Sequence, residues 1–299
     1  MPSILQPTLS GTGQGQQITV PMALQRPELI AFRVAELAEP ELVLDKFFTP
    51  GPAPVGGSYL FVQAKAADKF LADGADVEAR TEGSEYPIVD GVDPDVRQAL
   101  VEDFGGAFPV TDAQETRNLT SYLNAQVQQL TNSIVRKLNK SAMDAVEAVI
   151  GAEQTIAGQS WENLVIVGPA DSITPAALRP SADISAARLH AELKELGTVF
   201  DLLVVHPNQA HALRSSYGEQ LDAMLKSADV ELFSTPRITA GTAFVVQKGG
   251  LGKVGFETPL TVETIPDRRK RQHYVQGYAN PYFAPEKPDA VVKIIGLEG

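Results

Sequence analysis

The chain has 299 residues, 43% hydrophobic and 21% charged, with no cysteine and only four histidines. That length holds one large domain or two modest ones around a sizeable core, while the missing thiols exclude disulfides, thiolate metal sites and cysteine nucleophiles. A net charge of −12 means that the chain as a whole is no polyanion binder, so any nucleic-acid contact has to come from a local patch. No apolar run approaches the ~20 residues that span a bilayer, and MPSILQPTLSGTGQGQQITVP lacks the basic and apolar regions of a secretion signal. A soluble, non-secreted protein is expected.

In chain order, the first 25 or so residues carry Gln, Gly, Ser and Thr and read as an extended arm that orders only against something else. PELIAFRVAEL predicts a short helix with Pro27 in its first turn and Leu29, Ile30, Val34 and Leu37 on one side. LVLDKFFTP (42–50) and SYLFVQAKA (58–66) read as strands around the breaker-rich GPAPVGG. Residues 66–110 then hold 11 acids against 3 bases, too polar for a private core. They form either a solvated acidic loop or a hairpin that docks on a neighbouring molecule.

From Thr111 the period becomes helical. Leu119, Leu123, Val127, Leu130, Ile134, Leu138 and Val146 recur mostly at three or four residues, Met143, Val149 and Ile150 extend the face, and Gly151 supplies the stop. Either Thr111 or Asp112 can serve as N-cap. About 39 residues would make a helix of roughly 58 Å. Polar Ser141 interrupts the seam of a coiled coil, which favours a long helix lying across a sheet.

Beyond Gly151, WENLVIVG and FDLLVVHP read as buried strands around a helix near DISAARLHAELKELG, with Gly197 as its stop. NQAHALRSSYG and EQLDAMLKSAD continue as short helices, and ELFS, TAFVVQK, KVGFE, PLTVETIP, HYVQGYAN and AVVKIIGL as strands. There is no internal repeat. Two subdomains joined by more than one crossing of the chain fit this order.

Tests for chemistry fail. There is no dinucleotide fingerprint, P-loop, zinc-protease helix or nucleophile elbow, and His206 and His211 flank Pro207 at a spacing that does not share a helical face. The carboxylates of 66–110 have density without the rigid separation that glycoside hydrolysis demands. No catalytic, cofactor-binding or metal residue is assigned, and no enzyme is expected. Asp267 is followed by Arg268, Arg269, Lys270 and Arg271. This run is a solvated turn, a phosphate-backbone contact or an ion-pair partner for the acidic segment of a neighbouring copy. Without interleaved aromatics it does not read bases.

Four segments together resemble the major capsid proteins of tailed bacteriophages: GGSYLFVQAKAADKFLADGADVEARTEGSEYPIVD, FPVTDAQETRNLTSYLNAQVQQLTNSIVRKLNKSAMDAVEAVIGA, LLVVHPNQAHALR and DRRKRQHYVQGYANPYFAPEKPDAVVKIIGL. The resemblance covers nearly the full chain and is one of pattern rather than of a short signature. It implies an α+β, Hong Kong 97-type (HK97-like) fold. The implied map is an N-terminal arm and first helix at 1–55, an E-loop at 56–91, a P-domain at 92–154 whose spine helix is 111–150, an A-domain at 155–255 and a returning P-domain segment at 256–299.

By the same resemblance the chain self-assembles as pentamers and hexamers into an icosahedral shell around double-stranded DNA, built in the bacterial cytoplasm and found in the virion. It has no cofactor and no membrane partner. A separate scaffolding protein, a portal and a decoration protein are the implied partners, since no long N-terminal scaffolding segment is present. Leu60, Phe61, Val77, Tyr86 and Ile88 would anchor neighbouring subunits, and Glu82, Glu85 and Asp90 would face Arg268, Arg269, Lys270 and Arg271 of another copy. Lys65, Lys69 and Asn280 supply the side chains of the Lys–Asn cross-link that some members form, without an identified activating carboxylate. An encapsulin-type nanocompartment shell is the nearest alternative. An α/β hydrolase or transferase and a phage tail or connector component are further ones.

Overall fold

The computed structural model describes residues 20–38, 42–64, 68, 71, 79–86, 88, 91, 93–169 and 171–298. Two helices open it, α1 (Val20–Gln25) and α2 (Pro27–Ala38), the latter with Pro27 in its first turn and Leu29, Ile30 and Val34 buried. The expected strand at 42–50 is mostly a helical turn, α3 (Leu44–Phe47), followed by the short β1 (Phe48–Pro50). Leu44 and Phe47 are fully buried there, and a compact turn carries both into the core where a strand would turn alternate residues outward. The breaker segment ends in Gly56 and Gly57, both at positive φ, and releases the chain into β2 (Ser58–Gln63).

The partner of β2 is β3 (Asp95–Leu100), antiparallel and in register from Ser58–Leu100 to Gln63–Asp95. The expected loop boundary at 91 therefore falls short of the returning strand. A four-stranded sheet follows, ordered β1-β9-β10-β4, from β4 (Phe104–Thr111), β9 (Gly252–Asp267) and β10 (Gln272–Ala284). KVGFE and PLTVETIP, read separately from the sequence, are one 16-residue strand, so a division at 255/256 cuts through β9.

The long helix is real but interrupted. α4 (Asp112–Thr116) is capped by Thr111, whose side chain accepts from the Gln114 N–H while the Gln114 side chain accepts from the Thr111 N–H. The chain then breaks at Asn118, where φ is 49°, before α5 (Thr120–Val149) runs for 30 residues. Asn is among the few residues that tolerate this left-handed geometry, and its side-chain carbonyl accepts from the Val20 N–H at 2.9 Å. The break thus anchors α1. The continuous ~58 Å rod becomes one of about 45 Å.

Leu123, Val127, Leu130, Ile134, Leu138 and Val146 of α5 are buried, and the helix lies across β4 and β10 and beside α2 rather than in a coiled coil. Gly277 permits the close approach, for a Cβ there would meet Leu130 Cδ2 at 3.2 Å. Ser141, the polar residue in the apolar face, donates to Glu102 Oε2 at 2.7 Å.

The second sheet has the order β5-β11-β8-β6-β7. It comprises β5 (Thr155–Ala157), β6 (Leu202–Val205), β7 (Glu231–Ser234), β8 (Thr242–Val246) and β11 (Val291–Ile295), with α6 (Pro180–Glu192), α7 (Pro207–Tyr217) and α8 (Leu221–Ser227) in the connections. Leu203, Val205, Val245 and Ile294 pack with α6, α7 and α8, whereas Leu202, Val204, Phe244 and Val291 join the core under α5. Burial on both faces explains why these strands read as unbroken apolar runs. β11 lies in this second sheet, antiparallel to β8, so the segment 256–299 divides: β9 and β10 go to one sheet and β11 to the other.

WENLVIVG is not a strand. Gly158 and Trp161 hydrogen-bond through their N–H groups to Ile295 and Leu297, which carries the chain past the end of β11 instead of alongside it. Val167 is left 78% exposed while Trp161 is buried, its indole N–H donating to Asp183 Oδ2 at 2.7 Å. No helix among the described residues is long and apolar enough to cross a membrane.

Candidate assembly surface

Strand alternation splits the β2–β3 ladder into two unlike faces. On the inner face Phe61 and Ala99 are buried against Tyr282 and Ala284, and the Tyr59 ring stacks on Tyr282 at 4.8 Å. The Tyr282 hydroxyl donates to the Pro52 carbonyl at 2.7 Å, and burial pushes its pKa up to about 12. Nearby, a hydrogen bond from Lys253 to Glu286 raises the lysine above its ordinary value. The ladder is therefore fastened to β10 by one side only.

On the outer face the register places Val62 opposite Val96, with Leu60 and Leu100 on diagonally adjacent pairs. Leu60 is 66% exposed, Val62 46%, Val96 69% and Leu100 69%. Four apolar side chains on a two-stranded ladder, turned away from the chain's own core, form a contiguous patch of the kind that marks interaction sites.

Of the residues expected to anchor a neighbour, Leu60 belongs to this patch. Tyr86 and Ile88 are exposed at 70% and 97%, the Tyr86 ring lying under the Arg80 guanidinium at 4.7 Å. Phe61 requires correction: it alternates inward, is 7% exposed and packs within its own chain. Glu82 and Glu85 are exposed. Val77, Asp90, Lys65 and Lys69 lie outside the described residues. Asn280 sits at an irregularity in the β9–β10 register. Val62, Val96 and Leu100 were not singled out from the sequence. The alternation in SYLFVQ carried the signal for Val62, and charged neighbours in DVRQAL obscured it for the other two.

The basic run forms the β9–β10 turn. Asp267 Oδ1 accepts from the Arg269 and Lys270 N–H groups, and Arg271 has φ 52°. Arg268 and Arg271 reach Asp112 of their own chain at 3.8 and 3.5 Å, so part of this charge is matched internally. Among the described residues, one group of side chains could hold a metal: Asp112, Glu115 and His273, each offering an atom within 4.8 Å of the others.

Comparisons with known proteins identify the family. A sequence profile described as phage capsid protein matches residues 95–294, two-thirds of the chain. The chain belongs to this family. As a phage capsid protein it is structural and not an enzyme, and its fold is the α+β, Hong Kong 97-type capsid fold. A virus-like particle from Pyrococcus furiosus aligns with a TM-score of 0.61 at 12% identity, over 89% of this capsid protein and 98% of that chain. The capsid of Myoviridae phage XM1 aligns at 0.57 and 12% identity over 97% of both chains, and a chain of Mycobacterium phage Bobi at 0.56 and 13% over 85% and 89%. Among curated protein sequences none matches significantly.

Proposed function

We propose that this is a major capsid protein whose copies assemble as pentamers and hexamers into a closed icosahedral shell around double-stranded DNA. The observation that carries the reading is the apolar outer face of the β2–β3 ladder, which the described residues leave uncovered and a neighbouring subunit would cover. In this reading residues 1–55 are the arm and first helix, and the E-loop begins at 56 and is carried on to Leu100. The P-domain holds α5 as its spine helix together with β4, β9 and β10. The A-domain is the second sheet with α6, α7 and α8, taking β11 from the C-terminal segment. The virion is then the protein's final location, after assembly in the bacterial cytoplasm with a separate scaffolding protein, a portal and a decoration protein.

Acidic residues of the E-loop, Glu82, Glu85 and Asp90 among them, pair in this arrangement with the basic turn of another copy. Opposite charges at a repeated contact select register more than they add affinity. Closed shells need many modest contacts related by symmetry. Expression of the full chain alone and with its scaffolding protein, followed by negative-stain electron microscopy, tests the reading. Closed particles protecting DNA from nuclease support it. Closed particles without DNA support the shell, whose contents are then read from particles formed in an infected host, where DNA-free particles would assign an encapsulin-type shell. A chain that stays monomeric or dimeric under every condition would refute both.

A further inference from the structure

Beside the basic turn, an imidazole and two carboxylates converge. Asp112 and Glu115 are three residues apart on α4 and so share a face, and the β4–β10 register sets His273 opposite Val110, two residues before Asp112. His273 Nε2 lies 3.7 Å from Glu115 Oε2, beyond hydrogen-bond range, with the two side chains 14% and 28% exposed. The Asp112 side chain is 27% exposed, yet its Oδ1 atom is shielded from solvent and has no hydrogen-bond partner. A shielded carboxylate oxygen without a donor is costly. The nearest cations, the guanidiniums of Arg268 and Arg271, are 70% and 82% exposed and stand 3.8 and 3.5 Å away, too far for good hydrogen bonds.

We propose that Asp112, Glu115 and His273 bind a divalent transition-metal ion of the zinc class, tying α4 to the turn end of β10. An imidazole ligand disfavours the hard ions magnesium and calcium, and the absence of thiolate disfavours copper(I) and iron–sulfur centres. One nitrogen and two oxygens suit zinc, whose bonds of about 2.0–2.2 Å set ligand atoms roughly 3.3 Å apart. Separations of up to 4.8 Å close to that value through side-chain rotation, which all three partly exposed groups allow. The fourth position stays open to water or to a ligand from another chain. The ion and the two arginines compete for Asp112, and the exposed arginines turn out to solvent when it binds.

That competition makes the test specific. The full chain, treated with chelator, is titrated with zinc chloride by calorimetry at neutral pH, and separately with cobalt(II) to read its ligand-field absorption. One zinc per chain is expected, with a cobalt spectrum of low coordination number. His273→Gln and Glu115→Gln should each weaken zinc by at least the ~10–100-fold that loss of even an outer-shell partner costs. Arg271→Gln should tighten it. Thermal unfolding of the metal-free variants verifies that each is folded. Binding that survives both ligand substitutions would place the ion at another histidine and overturn the proposal, as would an Arg271→Gln chain that binds more weakly, or no saturable binding at all.

Discussion

Replacing Leu60 and Leu100 together with Ser separates assembly from folding. Full burial of a leucine side chain stabilises by about 1.5–3 kcal/mol. Leu60 and Leu100 still expose 66% and 69% of their surface in the free chain, so a neighbour that covers them gains about 1–2 kcal/mol from each. Losing both removes about 2–4 kcal/mol per contact, roughly a 30- to 1,000-fold weaker association, as an upper bound before ordering costs. Their effect on the lone chain should stay within about 0.5 kcal/mol, because they touch little of it. Phe61→Ser is the opposite control: its ring is buried on Tyr282, and truncating a buried phenylalanine costs about 3–5 kcal/mol of fold stability. Mass photometry across a concentration series reads the assembly threshold, and circular dichroism on heating reads the fold. A double variant that assembles at the wild-type threshold, or one that unfolds like Phe61→Ser, would refute the reasoning.

Thr111→Ala removes one arm of the α4 capping box and should cost about 1 kcal/mol, seen as a lowered denaturation midpoint with no change in helix content of α5. Replacing Arg268, Arg269, Lys270 and Arg271 with Ser should lower shell stability more at low than at high salt, since screening already weakens the wild-type contacts; disassembly against NaCl concentration measures it, and a salt-independent effect would count against ion pairing. Asp183 has its carboxyl raised above the ordinary value of 3.8 chiefly by burial, opposed by the Trp161 and Gln159 N–H groups. The folded chain then holds this proton longer than the unfolded one, so the group's stabilisation is complete below pH 3.8 and is lost as pH rises through the folded value. The stability of wild type relative to Asp183→Asn should therefore fall across that window in denaturant titrations, and a constant difference would reject the linkage.

How much the sequence revealed depends on the range of the interactions. The apolar period of α5 and the Thr111 cap are local, and both appear in the fold. The break at Asn118 was hidden because one contact that holds it is distant: the amide of Val20, 98 positions away, donates to its side chain. WENLVIVG has strand composition, but the path past the end of β11 is set by bonds to Ile295 and Leu297. Leu60 and Phe61 look equivalent as letters; pairing with β3 and packing on Tyr282 turn one outward and the other in. The Asp112, Glu115 and His273 group was invisible for the same reason, since only the β4–β10 register brings position 273 beside α4.

Cryo-electron microscopy of the assembled particle tests the central claim most directly. Closed shells in which a neighbouring subunit covers Leu60, Val62, Val96 and Leu100 are the expected result. A closed shell with that face open to solvent, or no closed shell with scaffolding protein supplied, would contradict it.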